Sequence, residues 1–279
     1  MMAARRKAAE GVGEYKMEVK ILKKDKKAGK ISFLLKDSTP AFANAIRRAV
    51  VESVPTMAIE DVEIRKNSSV LYDEMIAHRL GLVPLKTDLK TYNLMSKCKC
   101  SGEGCARCSV KLTLKAKGPK IVLAEEMESK DPKIVPAYSK TPIVKLLKGQ
   151  EIELEATAGM GVGKEHAKWI PGLVHYKYKP VVELTKKGEK NTDLVEICPM
   201  KVFKAKGGKV SVDKDNILDC HLCSACIDAF PQDVKLNEKD TDFIFYVESF
   251  GQLDPADIVK KACDILNEQL DEFIGIAKK

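Results

Sequence analysis

The sequence predicts an α+β protein in which one discontinuous domain is interrupted by two inserts. Three observations predict it: amphipathic helix patterns lie near both ends of the chain, the long middle stretch mixes strand-like runs with Pro and Gly breaks, and eight of the nine cysteines fall into two groups of four.

Taken in order, Met17 to Ile21 and Ile31 to Leu35 are short apolar runs separated by a charged stretch, which predicts a strand pair. Thr39 is placed to N-cap a helix, with Pro40 at its first position. Phe42, Ala45, Ile46, Ala49 and Val50 then recur at helical spacing until Pro55, leaving Asn44, Arg47 and Arg48 on the polar face. Residues 57–180 read as a β-rich domain of short strands, with a brief helix from Asp73 to Leu80 ended by Gly81 and followed by Pro84. The glycines of Gly161 to Pro171 resemble a phosphate loop only loosely, because Glu165 stands where G-x-x-x-x-G-K-S/T needs a hydroxyl. His166 beside Glu165 reads as a structural loop residue, and no catalytic constellation is visible. Phe243 to Phe250 predicts a strand. Asp254 then caps a long helix with Pro255 at its first position, whose stripe runs through Ile258, Ala262, Ile265, Leu266, Gln269, Leu270, Phe273 and Ile274. Such a stripe needs a cover, from the chain itself or from a partner.

The chain's 279 residues allow two or three domains. Its +8 charge is uneven: residues 213–279 hold 15 acids and 7 bases, and the first 212 hold 25 acids and 41 bases. A basic portion of this kind admits nucleic-acid contact, but no aromatic stacking platform or reader motif accompanies it. No apolar run reaches the roughly 18 residues of a membrane span. Arg5-Arg6 opens onto no apolar stretch, so the basic residues 1–13 read as a tail, and the expected location is cytoplasmic.

In a reducing compartment nine cysteines favour metal over disulfides. Cys220, Cys223 and Cys226 form C-x2-C-x2-C, but Phe230 before Pro231 replaces the fourth cysteine of a bacterial ferredoxin run. In two-cluster ferredoxins that fourth ligand serves the other cluster, and Cys198-Pro199 supplies the missing one. Laying the spacing back from Cys198 puts the remaining positions at Gly188, Asn191 and Leu194. One cluster's four positions (Gly188, Asn191, Leu194, Phe230) are therefore all lost, and the other's (Cys198, Cys220, Cys223, Cys226) are all kept. This pattern predicts one 4Fe-4S cluster. A 3Fe-4S form follows if one thiolate stands off, and a zinc site or free thiols are the alternatives. Between the ligands, Val202 to Val212 alternates around Gly207-Gly208 as a hairpin.

Cys98, Cys100, Cys105 and Cys108 read C-x-C-x4-C-x2-C, with residues 101–104 as the turn. Four thiolates within eleven residues can enclose a tetrahedral zinc, and empty thiols or local disulfides are the alternative. Cys263 lies on the apolar side of the last helix as a small core residue.

Three stretches then carry a family resemblance: Phe42 to Pro55 (Phe-Ala-Asn-Ala-Ile-Arg-Arg-Ala-Val-Val-Glu-Ser-Val-Pro), Asp73 to Leu85, and Lys164 to Trp169. With the Cys198 to Cys226 insert, the chain resembles the D-type subunit family of archaeal DNA-directed RNA polymerases. That family is the counterpart of the third-largest subunit of eukaryotic RNA polymerase II and of the bacterial alpha subunit's N-terminal domain. The resemblance implies a discontinuous dimerisation domain (14–54 and 240–279), a β-rich middle domain with the cysteine loop (55–185) and a ferredoxin-like cluster domain (186–239). It implies a non-catalytic scaffold that pairs with a smaller L-like subunit, gathers small subunits N and P, and receives the large catalytic subunits, without direct DNA contact. The pairing surface it implies is Phe42, Ile46, Ile258, Ala262, Ile265, Leu266, Gln269, Leu270 and Phe273, with Arg47 and Arg48 facing the large subunits. Within this reading, cluster binding is expected to supply folding free energy to the small insert, as a staple or an oxidation-sensitive control on assembly. The rival reading, a ferredoxin-like electron-transfer protein or oxidoreductase subunit, accounts for the insert alone and leaves both terminal helices without purpose.

Overall fold

The structure is a computed structural model that describes residues 17–100 and 102–278. The expected basic tail, 1–13, and Ser101 of the cysteine turn lie outside the described residues. The chain divides into two compact units. The first comprises the described residues up to Lys23, Ser32–Asn44 and His175–Tyr246; the second comprises Lys24–Ile31, Ala45–Val174 and the chain from Val247 on.

The first unit holds most of a four-stranded sheet in the order β1-β2-β12-β9, where β1 is Glu18–Asp25, β2 Lys30–Lys36, β9 Gly172–Leu184 and β12 Val234–Ser249. Its core is aromatic: Phe33 stacks on Phe245 with centroids 5.0 Å apart, and Tyr176 and Tyr178 lean on Phe243. Asp242, fully buried on β12, is held by Lys239 at 2.8 Å and Lys179 at 3.4 Å, and Asp37 N–H donates to it at 3.4 Å. These partners outweigh the burial that would raise its pKa, and hold the carboxyl below its ordinary value. The same unit contains a smaller body built on helix Asp193–Ile197 (α3), the hairpin Phe203–Lys206 (β10) with Lys209–Val212 (β11), and helix Ala225–Ala229 (α4). Val182, Leu194, Val202, Phe203, Val210 and Val234 form its core.

The second unit is built on a sheet ordered β3-β8-β4-β6, where β3 is Pro55–Asn67, β4 Ser109–Lys117, β6 Glu128–Ser129 and β8 Glu151–Val162. Strand β4 shows why: Val110, Leu112, Leu114 and Ala116 turn inward while Lys111, Thr113, Lys115 and Lys117 turn outward. The outward lysines meet Glu155, Glu153 and Glu151 across the β4–β8 pairing. The pair β5 (Lys120–Leu123) and β7 (Pro142–Leu146) completes the strands, and helix Asp73–Gly81 (α2) buries Ile76 and Leu80. The strands of this region are longer than the short runs expected: β3 and β8 pair over Pro55–Asn67, with bulges between Ile59 and Asp61 and between Ile64 and Lys66.

Helix α1 (Pro40–Ser53) begins as the sequence predicts, with Phe42 N–H donating to Thr39 Oγ1 at 3.3 Å. Helix α5 (Pro255–Ala277) does likewise, with Ala256 N–H donating to Asp254 Oδ1 at 2.9 Å. The glycine-rich loop after β8 is a packing device. A Cβ at Gly163 would stand 2.0 Å from the Val51 carbonyl oxygen, and Lys164 N–H donates to the Glu52 carbonyl at 3.1 Å, closing the end of α1. His166 accepts from Lys168 N–H through Nδ1 at 3.0 Å, a turn contact.

Candidate metal centres

Cys98, Cys100, Cys105 and Cys108 converge: their four sulfurs all lie within 4.8 Å of one another. Cys98 to Cys105 is 3.6 Å, Cys100 to Cys108 3.5 Å and Cys105 to Cys108 3.8 Å. The loop is held from both ends. Asn93 N–H donates to the Arg107 carbonyl at 2.8 Å, and β4 starts at Ser109, directly after the fully buried Cys108. Gly102 and Gly104 carry the reversal at φ of 89° and 88°, a region that side-chain-bearing residues avoid. Cys105 N–H points at the Cys108 sulfur from 3.2 Å. Hydrogen bonding with Cys98, then with Cys108 and the Gly102 N–H, holds Cys100 down to about 6, whereas burial pushes Cys108 up to about 12. A metal ion therefore displaces protons on entering, and its affinity rises with pH.

The second quartet is more open: among the described residues it is not gathered to that radius. Cys198 follows α3, Cys220 follows the turn Ile217–Asp219, Cys223 sits in the loop and Cys226 lies in α4. All four line one pocket, walled by Val182, Val202, Phe203 and Leu236. Among the described residues, three of the four non-glycine positions with positive φ border it: Lys201 at 51°, Leu222 at 57° and Ser224 at 63°. Such backbone persists where the surroundings over-determine it. Val202 N–H points at the Cys198 sulfur from 3.4 Å, and burial raises the Cys220 and Cys226 thiols. Four thiols around an apolar pocket, with backbone N–H groups aimed at sulfur, fit an iron–sulfur cluster, which spaces its ligands more widely than a single ion does.

The four positions without cysteine are filled by packing. A Cβ at Gly188 would stand 2.1 Å from the Asp233 carbonyl oxygen, and Asn191 Nδ2 donates to Asp233 Oδ2 at 2.8 Å. Leu194 is fully buried, and Phe230 packs against the same core.

A family model described as the RNA polymerase Rpb3/RpoA insert domain matches residues 62–171. The DNA-directed RNA polymerase subunit Rpo3 of Archaeoglobus fulgidus is 39% identical over 94% of this chain and 98% of its own length. Rpo3 of Methanosphaera stadtmanae is 38% identical over 94% and 99%, and the RNA polymerase II subunit rpb3 of Dictyostelium discoideum 38% identical over 88% and 90%. The chain belongs to the Rpo3/Rpb3 family of DNA-directed RNA polymerase subunits. Family membership along nearly the whole chain sets aside the electron-transfer reading, which rested on the cysteine insert alone.

In this Rpo3/Rpb3 chain the residues of the expected pairing surface separate into two groups. Ile46, Ile258 and Ala262 are consumed by the chain's own core, and Ile265 and Leu266 are half-buried. Phe42 and Gln269 are exposed, and beyond them Leu270 is 59%, Phe273 68%, Ile274 46% and Ile276 72% exposed. Arg47 is half-buried, and Arg48 is engaged by its own helix, its Nε and Nη2 each 3.0 Å from the Glu52 carboxylate. Cys263 is half-buried. No helix among the described residues is long and apolar enough to cross a membrane. Sequence reasoning missed Lys177, whose Nζ donates to the Cys220 carbonyl at 2.9 Å. It sits on β9, far from the cysteines in sequence, and no local pattern marks it.

Proposed function

We propose that this polymerase subunit is a non-catalytic, cytoplasmic assembly scaffold. It pairs through a discontinuous dimerisation domain (14–54 and 240–279) with a small L-like subunit, gathers subunits N and P, and presents a platform to the large catalytic subunits without itself touching DNA. The observation that carries this reading is the end of α5. Leu270, Phe273, Ile274 and Ile276, each 46% to 72% exposed, leave the last turns of the helix wet on their apolar side, which is costly unless another chain covers it. The family resemblance turns Arg47 and Arg48 toward the large subunits, where Arg48 would arrive already paired with Glu52.

Two metal groups complete the proposal. The Cys98 loop holds zinc, because a tetrahedral ion with Zn–S near 2.3 Å sets sulfurs about 3.8 Å apart, and the three separations above lie at or just under that. Cys198, Cys220, Cys223 and Cys226 hold one 4Fe-4S cluster, which staples the 186–239 insert. Co-expression with an L-like subunit tests the scaffold. The wild-type chain should co-purify as a heterodimer, and Leu270→Asp with Phe273→Asp should weaken pairing about a hundredfold or more. Undiminished pairing of that double variant would overturn the assignment.

A further inference from the structure

Lys177 is a half-buried lysine without a carboxylate in ion-pair contact among the described residues. Its Nζ donates to the Cys220 carbonyl at 2.9 Å and lies 5.6 Å from the centre of the Tyr246 ring. Asp219 attracts it from beyond ion-pair contact. Burying an ammonium beside a carbonyl and a ring, with no ion pair, is costly unless an anion is close. A 4Fe-4S core in its oxidised resting form, bound by four thiolates, is a dianion, and one added electron makes it a trianion.

We propose that Lys177 is a positioning residue for that cluster, an inference that rests on the cluster reading above. Its hydrogen bond fixes the carbonyl of Cys220 at the start of the loop where Leu222 and Ser224 turn left-handed, so the first thiolate is presented to the pocket. Its charge stabilises the trianion more than the dianion, because attraction grows with the charge attracted and the half-buried site screens it weakly. The protein thereby holds the cluster's midpoint potential above the value it would have without the lysine.

The experiment uses the full chain co-purified anaerobically with its small-subunit partner, with iron and sulfide analysis followed by a dithionite titration read by electron paramagnetic resonance. Lys177→Gln should keep the cluster and shift the midpoint to more negative potential. Lys177→Arg should restore it, and Lys206→Gln at the hairpin turn, a control for net charge, should leave it in place. If Lys177→Gln loses iron while Lys177→Arg retains it, the clamp on Cys220 is supported. A cluster-bearing Lys177→Gln with the wild-type potential overturns the proposal, as does equal iron loss in Gln and Arg variants, which would mark a packing role. Wild-type protein with zinc and no sulfide overturns the cluster reading itself, a separate result.

Discussion

The two cysteine quartets solve the same problem by opposite means. The Cys98–Cys108 loop draws its cysteines from eleven consecutive residues, turns on two glycines, and is anchored on a strand of a sheet with its own apolar core. The Cys198–Cys226 pocket draws one cysteine from a distant segment, bends three side-chain-bearing residues into left-handed backbone, and includes Cys226 in its own small core. A local set carried by a sheet with its own large apolar core should leave that sheet folded without metal. A set supplied from two segments makes the bound group part of the core.

The largest effect should therefore come from breaking the second set. Cys226→Ser is expected to remove all of the roughly four irons and to expose the 186–239 insert to limited proteolysis. Cys108→Ser should cost its single ion while the β4–β8 sheet keeps its amide protection in hydrogen exchange. Equal collapse of both regions in either variant would break the contrast.

Next in size is Gly188→Ala. The new Cβ would press on the Asp233 backbone, which cannot swing aside as a side-chain tip can, so a loss of about 3 kcal/mol is expected in chemical denaturation of the insert. The same contact explains why returning cysteines to positions 188, 191, 194 and 230 should not yield a second cluster. A gain to about eight irons per chain would show that those positions had kept their old geometry.

Asp242 then compares the ion pairs of the two units. It is fully buried and held by Lys239, so Asp242→Ala should cost about 3 kcal/mol or somewhat less, since both lysines reach solvent. Lys115→Ala, which breaks an exposed pair with Glu153 on the second unit's sheet, should leave stability nearly unchanged. The folded-state pKa of Asp242 is lowered, so its contribution is complete above the ordinary carboxylate value near 3.9 and is lost as pH falls through the lowered value. Acid titration of stability should thus show a steeper limb in wild type than in Asp242→Ala.

Much of this is legible in the sequence where chemistry is local. Thr39 and Asp254 announce their helices, Gly207-Gly208 their hairpin, and the cysteine spacings both quartets. Strand β12 is visible only from Phe243 because the stretch Asn237 to Asp240 in its first half is polar and exposed, with no alternation to read. Strand β3 looks short because its two bulges break the period-two pattern. The glycines at 161 and 163 look like anion-binding punctuation; they are absences of side chain against Trp169 and Val51. Lys201, Leu222 and Ser224 give no warning, since residues of their types take positive φ only under tertiary constraint. The end of α5 reads as one continuous stripe, and only the structure divides it into a half sunk in the chain's own core and a half left for another chain.

The smallest effect tests whether the first loop is shaped before metal arrives. Gly104 holds φ at 88°, and a methyl group placed there would find its nearest obstruction, Ser109 Oγ, 3.5 Å away, so there is space for a side chain but not the backbone freedom. Gly104→Ala should therefore cost about 1 kcal/mol, paid when the turn closes. If the loop is closed in the metal-free chain, that cost falls on folding and the ion's affinity in chelator competition stays at the wild-type value. If the turn closes only around the ion, the cost falls on binding, and affinity drops about fivefold. The anchoring of the loop at Asn93–Arg107 and at the start of β4 argues for the first outcome, so unchanged affinity with lowered stability is expected, and a loss of about fivefold would make the two quartets more alike than their anchoring implies.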